Sequence, residues 1–278
     1  MRALLTLLTL LTSLVATLLP ALAIAAPADD ALAALREMRM LNYRIQTRYH
    51  VGTLAAADTQ PYVHLKQDVQ RFDDAIADLQ AAVSRGGWRV PIAAIADRWQ
   101  SVRWFAVQDL PVPSPEILPR EIAYDRARRP ASISAMKIAG QQLASALVDG
   151  MMAVPAPREP ASNIDFALTA LELQYIAYRY VDLAGMNPAL DISGEPSLEI
   201  LETAFGKRMA SLESRYGNDP AFAGPMRTLR ASWLFIAPAL PRAQDAPVPV
   251  LVSRYTSLAT DALLPVFTGR PASASPRD

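Results

Sequence analysis

Apolar residues recur along this chain at helical spacing. Leu65, Val69, Phe72, Ile76, Leu79 and Val83 step by four and three, lining one face of a helix that Gly86-Gly87 ends. Ile92, Ile95, Trp99, Val102 and Ala106 form the next stripe, which stops before Pro111. Met136, Gly140, Leu143 and Leu147 form another, with Ser132 placed as its N-cap. After Pro155, Pro157 and Pro160 the pattern restarts, with a helix from about Asn163 to Ala184 that ends near Gly185. Leu198, Leu201, Phe205 and Leu212 mark the following helix, stopped by Gly217. Phe222, Met226, Leu229, Trp233, Ile236 and Leu240 repeat the 4-3 step, with Pro225 in the first turn or kinking it. A last helix covers about Val250 to Leu264. With a first helix through Leu35–Ile45 the count is eight amphipathic helices. No alternating strand pattern stands beside them, so the expected class is all-α.

The eight helices divide into two sets of four. Tyr43-Arg44 and Tyr178-Arg179 lie 135 positions apart, Phe72 and Phe205 lie 133 apart, and Trp99 and Trp233 lie 134 apart. Near-constant offsets on the first, second and third helix of each set point to an internal duplication. The other reading is chance alignment of Ala- and Leu-rich stripes. The expected organisation is a leader over 1–25, a four-helix unit over 26–154, a Pro-rich linker over 155–161, a second four-helix unit over 162–268, and a disordered tail over 269–278. Leu110–Pro130, with five prolines, is expected to be an extended connection containing one short turn.

The leader sets the compartment. Met1-Arg2 is followed by an apolar run, a break at Pro20 and small residues at Ala21, Ala23, Ala25 and Ala26. That is the shape of a secretory signal peptide cleaved after Ala23 or Ala25, with an uncleaved anchor as the alternative. The expected location is therefore the periplasm. The chain has no Cys, which excludes disulfides, a thiol nucleophile and Cys-ligated metals. Its formal net charge is zero, which argues against nucleic acid as a partner.

Candidates for catalysis are few. His50 and His64 are the only histidines and lie in no metal-binding spacing. No Gly-x-Ser-x-Gly turn or Gly-rich phosphate loop occurs. Neither an enzyme nor a cofactor or metal site is expected. Tyr175, Tyr178, Tyr180, Trp99, Trp104 and Trp233 are read as core and core-edge residues rather than as an aromatic ligand box.

The first helix carries the most information. Arg39, Tyr43, Gln46 and His50 share one face, with Arg44 beside them. A guanidinium offers a planar fork of donors suited to a carboxylate or oxyanion, and Tyr and Gln can complete a polar pocket. Against this, Arg39 and Arg44 could reach solvent or pair with Asp73 or Asp74 on the next helix.

The run Arg39-Met40-Leu41-Asn42-Tyr43-Arg44-Ile45 resembles the motif that opens the N-terminal domain of type IV pili methyl-accepting chemotaxis transducers. It is also similar to the first-helix anion box of nitrate/nitrite sensor kinases. The resemblance spans about eight residues together with helix order and spacing. It implies a periplasmic four-helix sensor module, with Arg39 as anion contact and Arg44 as a supporting residue. In the second half Arg39 falls on Gln174 and Met40 on Tyr175, while Tyr178-Arg179 is kept, so a symmetric two-Arg site is not expected. No second apolar span, kinase or methyl-accepting region follows Leu264.

The expected ligand residues are thus Arg39, Tyr43 and Gln46, with Arg44, Tyr178 and Arg179 supporting them. The expected function is a free-standing periplasmic sensor or binding module for a small anion such as nitrate, nitrite or a carboxylate. It would act through a membrane receptor or another envelope protein. The rival is an envelope assembly factor that binds no small molecule.

Overall fold

The computed structural model describes the backbone of residues 2–54, 60–108, 119–185 and 194–269, and the side chains of 27–53, 63–107, 131–184 and 194–269. Each apolar stripe of those residues lies on a helix, and the chain is all-α. The eight helices among the described residues are α1 (Arg2–Leu54), α2 (Gln60–Gly86), α3 (Ile92–Gln108), α4 (Pro119–Met152), α5 (Ala161–Gly185), α6 (Leu198–Tyr216), α7 (Ala223–Ile236) and α8 (Pro249–Thr268).

Local chemistry sets most ends. The Ser197 hydroxyl accepts from the Ile200 N–H at 3.3 Å and so caps α6. Pro249 opens α8, where its missing N–H is harmless, and Gly269 closes it at φ 66°. The α7 stripe was expected to stay α-helical to Leu240. Instead the chain tightens at Ala237 into a 3-10 segment ending at Arg242, because Pro238 and Pro241 lack the N–H that would continue the α pattern.

Three further expectations are corrected near the chain's prolines. The backbone of α1 passes Pro20 without a break. α4 begins at Pro119, so residues 119–130 are helical rather than part of an extended connection, and Ser132 lies inside the helix rather than at its cap. Residues 109–118 and the tail 270–278 lie outside the described set.

α1 is the hub, packing on α2, α3, α4, α5 and α8. Within the second half, α8 packs on α5 and α7, and α6 on α5. One continuous apolar core runs from Ala28 to Phe267 through all eight helices. Phe72 stacks on Trp99 at 3.9 Å, and Phe205 meets Trp233 at 4.4 Å. α1 and α5 run side by side in the same direction, since Arg36 meets Glu159 and, further along, Tyr43 meets Tyr178. The Pro-rich stretch is tied down at α1: Glu159 takes Arg36, and the Arg158 N–H donates to Asp29 at 3.0 Å.

α1 and α4 approach closely at Gly140. Its carbonyl accepts from Asn42 Nδ2 at 2.9 Å, and an added Cβ would stand 2.2 Å from the Gln46 amide nitrogen. Gly140→Ala therefore forces the buried Gln46 amide off Asn42, and is expected to cost about 1–3 kcal/mol less the roughly 1 kcal/mol gained by removing a helical glycine. Gly206 is the contrasting case, exposed in α6 with nothing within 4 Å of an added Cβ. Gly206→Ala should raise stability by up to about 1 kcal/mol. Urea unfolding of the two variants checks both signs; equal stability would contradict the described α1–α4 approach.

Candidate functional site

α1 presents polar residues on two faces, and the two are used differently. One face, with Glu37, Arg44 and Arg48, turns to α2 and α8 and is closed by ion pairs. Arg44 grips Asp261 through both terminal nitrogens (2.6 and 3.1 Å), and its Nε lies 3.1 Å from Asp68. Arg48 pairs with the same Asp68 oxygen and also donates to the His64 carbonyl and to Ser257 Oγ. Arg71 of α2 bridges Asp261 and Glu37, each at 3.2 Å.

Three guanidiniums and three carboxylates thus neutralise one another between three helices. Burial opposes the charge on Arg44, but Asp68 and Asp261 outweigh it and hold its pKa well above the ordinary value. Burial likewise works against the charge on Asp261. Arg44, with Arg71 and Arg48, overcomes that and keeps the carboxyl below its usual range. Arg48 is the strained member: burial, helped by neighbouring Arg44, brings it down to about 10. Arg44 therefore belongs to a closed structural network. Its partners are Asp68 and Asp261, while Asp73 instead takes Trp99 Nε1 at 2.6 Å and Arg103.

The other face carries Arg39, Tyr43, Gln46 and His50 toward α4 and α5. Arg39 is half-buried, and its only polar contact among the described residues is Met151 Sδ at 3.6 Å. Burial lowers its pKa, and no carboxylate compensates. Tyr43 sits one turn on, its ring 5.2 Å from Tyr175 and 5.5 Å from Tyr178. Burial raises the pKa of all three hydroxyls, Tyr175 to about 12, so they remain protonated donors.

Gln46 is buried. Its amide donates to the Asn42 carbonyl (3.2 Å) and side chain (3.1 Å). With His50 it lines a crevice between α1, α4 and α5 shared with Lys137, Tyr178 and Asp182, having about 10 Å³ open to the centre of a water. The Tyr178 hydroxyl is buried there without a hydrogen-bond partner among the described residues. Arg179 turns away into the core, fully buried, with Nη1 3.0 Å from Asp182 and 2.7 Å from Glu195.

The structure therefore brings Arg39, Tyr43, Gln46 and Tyr178 onto one seam, and sends Arg44 and Arg179 elsewhere as charge-paired anchors. Sequence reasoning missed Lys137, Asp182 and Glu195. Asp182 had a usable signal, lying three residues after Arg179 and four after Tyr178. Lys137 and Glu195 come from other elements, and no local spacing announces them. His64 lies apart, its Nδ1 3.2 Å from Gln67 Oε1. Among the described residues no cluster of His, Asp or Glu could hold a metal ion, and no helix is long and apolar enough to cross a membrane. Compared with known proteins, the chain matches no family model, no curated protein and no solved structure.

Proposed function

We propose that this protein is an exported helical sensor or binding module, built by duplication of a four-helix unit, that recognises a small anion on the α1–α5 seam and acts through a partner receptor. The observation that carries the reading is Arg39. Its neighbours on α1 and α2, Arg36, Arg44, Arg48 and Arg71, are all matched to carboxylates, whereas Arg39 is half-buried and, among the described residues, donates only to the Met151 sulfur. A desolvated guanidinium without a counter-charge favours an anion, and nearby Tyr43 adds a protonated donor one turn away. The short likeness to the first helix of nitrate and pilus-chemotaxis receptors supports the same residue. The leader-like N-terminus supports export, and the Tyr43–Tyr178 and Trp–Phe equivalences support duplication.

The test is titration calorimetry of the protein with nitrate, nitrite and short carboxylates. A charge-assisted hydrogen bond contributes about 1.5–3 kcal/mol, so Arg39→Ala should weaken binding roughly 10- to 100-fold. Arg39→Lys should recover part of it. Unchanged affinity in Arg39→Ala would remove the site assignment.

One observation favours the rival, an assembly factor that offers apolar faces to another protein. Leu251, Tyr255 and Leu258 form one stripe on α8, with Leu251 and Leu258 40% and 54% exposed and Leu234 of α7 71% exposed. The Phe235–Tyr255 stack joins the two helices there at 4.0 Å. Under that reading none of the anions binds, and Leu258→Asp abolishes partner capture while Arg39→Ala leaves it intact.

A further inference from the structure

The two halves of the molecule touch mainly through α1, which lies against both α5 and α8. α4 and α5 flank α1 on the candidate-ligand face but have no extensive packing against each other. Among the described residues an ion pair joins them there, Lys137 of α4 to Asp182 of α5 at 2.8 Å, with the Lys137 ammonium 6.0 Å above the Tyr178 ring. The His50 ring, 7% exposed, lines the same crevice. We propose that the Lys137–Asp182 pair is a latch across the mouth of the seam, held shut beside a neutral His50 and released when His50 takes a proton. The proposal rests on the seam being a ligand site, whose access the latch would regulate.

The charges around His50 explain why the latch should give at this point. α4 contributes Lys137, and α5 contributes Asp182, whose Oδ2 already accepts both Lys137 and Arg179. The cations of α1 itself, Arg44 and Arg48, are turned to Asp68 and Asp261 on α2 and α8. Burial disfavours the imidazolium most, Asp182 favours it, and Lys137 disfavours it, which brings His50 down to about 4. Protonation would place a third cation beside a carboxylate that already serves two. The cation that leaves is the one with a route to water: the Lys137 side chain is 21% exposed, whereas Arg179 is 0% exposed.

The sign of the pH effect follows. A histidine whose pKa is depressed on folding adds stability above its unfolded pKa, near 6.5. That contribution shrinks as pH falls toward the folded value of about 4. The latch should therefore stay closed at neutral pH and open only in strong acid.

The absence of native Cys allows two single labels on the full protein, through Ser134→Cys on α4 and Ala184→Cys on α5. Spin-label distances should show one population at pH 7 and a second, longer one that grows with a midpoint near 4, while far-UV circular dichroism stays helical. His50→Gln should remove the transition, and Lys137→Met should show the longer population already at pH 7. The proposal is overturned by an unchanged distance down to pH 3.5, by a transition that persists in His50→Gln, or by loss of helix with the same midpoint in both proteins. No ligand enters this measurement. A failed latch therefore leaves the anion reading to its calorimetric test, whereas a failed anion titration removes the latch's role in ligand access and leaves only a pH-dependent opening of the α4–α5 contact.

Discussion

Asp68→Ala is expected to lower stability by about 3–5 kcal/mol, the cost of stripping one partner from a buried ion pair. Asp68 is 1% exposed, and a single one of its oxygens faces both Arg48 and the Arg44 Nε. Removing it leaves two guanidiniums inside the protein with Asp261 as the nearest remaining counter-charge, and Asp261 is already shared with Arg71. Against a total stability of about 5–15 kcal/mol for an ordinary domain, that loss approaches unfolding at growth temperature. Asp68→Asn keeps an acceptor without the charge and should fall between wild type and Asp68→Ala. Replacing Arg44, Arg48 and Asp68 together by apolar residues of similar volume should cost far less than the single change, because no charge is then stranded. Urea midpoints at constant m-value measure all three. A loss below about 1 kcal/mol in Asp68→Ala would mean that water reaches these guanidiniums.

That network also marks the boundary of what the sequence could reveal. The stripes of α2, α3, α5, α6 and α8 were legible because helical periodicity is local, and a 4-3 step identifies a buried face whatever it packs against. Arg44 was harder. Asp73 and Asp74 were the plausible carboxylates on the next helix, yet the partners lie at Asp68 and, 217 residues away, at Asp261. No spacing rule selects a partner on the eighth helix for a residue on the first. The prolines misled in both directions. Pro119 starts a helix where an extended connection was expected, since a first turn tolerates it, whereas Pro238 and Pro241 turn an α-helix whose apolar pattern continues into a tighter 3-10 segment.

The candidate site was legible mainly on one side. The i, i+4, i+7, i+11 relation of Arg39, Tyr43, Gln46 and His50 follows from helix geometry, and all four do face α4 and α5. Of the opposing wall, Tyr178 was named and Asp182 had a local signal, but Lys137 and Glu195 come from other segments and were not legible. Gln46 shows the limit most clearly. Its place on the face was correct, but its amide is committed to Asn42 and pressed against Gly140, and Gly140 had read simply as one member of an apolar stripe. A glycine at a buried stripe position can mean close approach instead of apolar filler.

The equivalence of the two halves can be tested at their tryptophans. Trp99 is 0% exposed, stacks on Phe72 and spends its indole N–H on Asp73. Trp99→Ala should therefore cost about 3–5 kcal/mol, combining lost burial, a large cavity and an abandoned acceptor. Trp233 occupies the matching place beside Phe205, but it is only half-buried and meets its partner at a 47° tilt rather than stacked at 15°. Part of its site already faces water, so Trp233→Ala should cost no more than about half as much. Thermal and urea unfolding of the two variants gives the comparison directly. Equal losses would mean that the halves have kept equal cores. The expected inequality would mean that the half holding Arg39 has the tighter packing and, under the proposed duplication, that the half with Gln174 in the corresponding position has relaxed. A ligand residue must be held in place by the core beneath it, so the tighter core expected around Trp99 would suit the role proposed for Arg39.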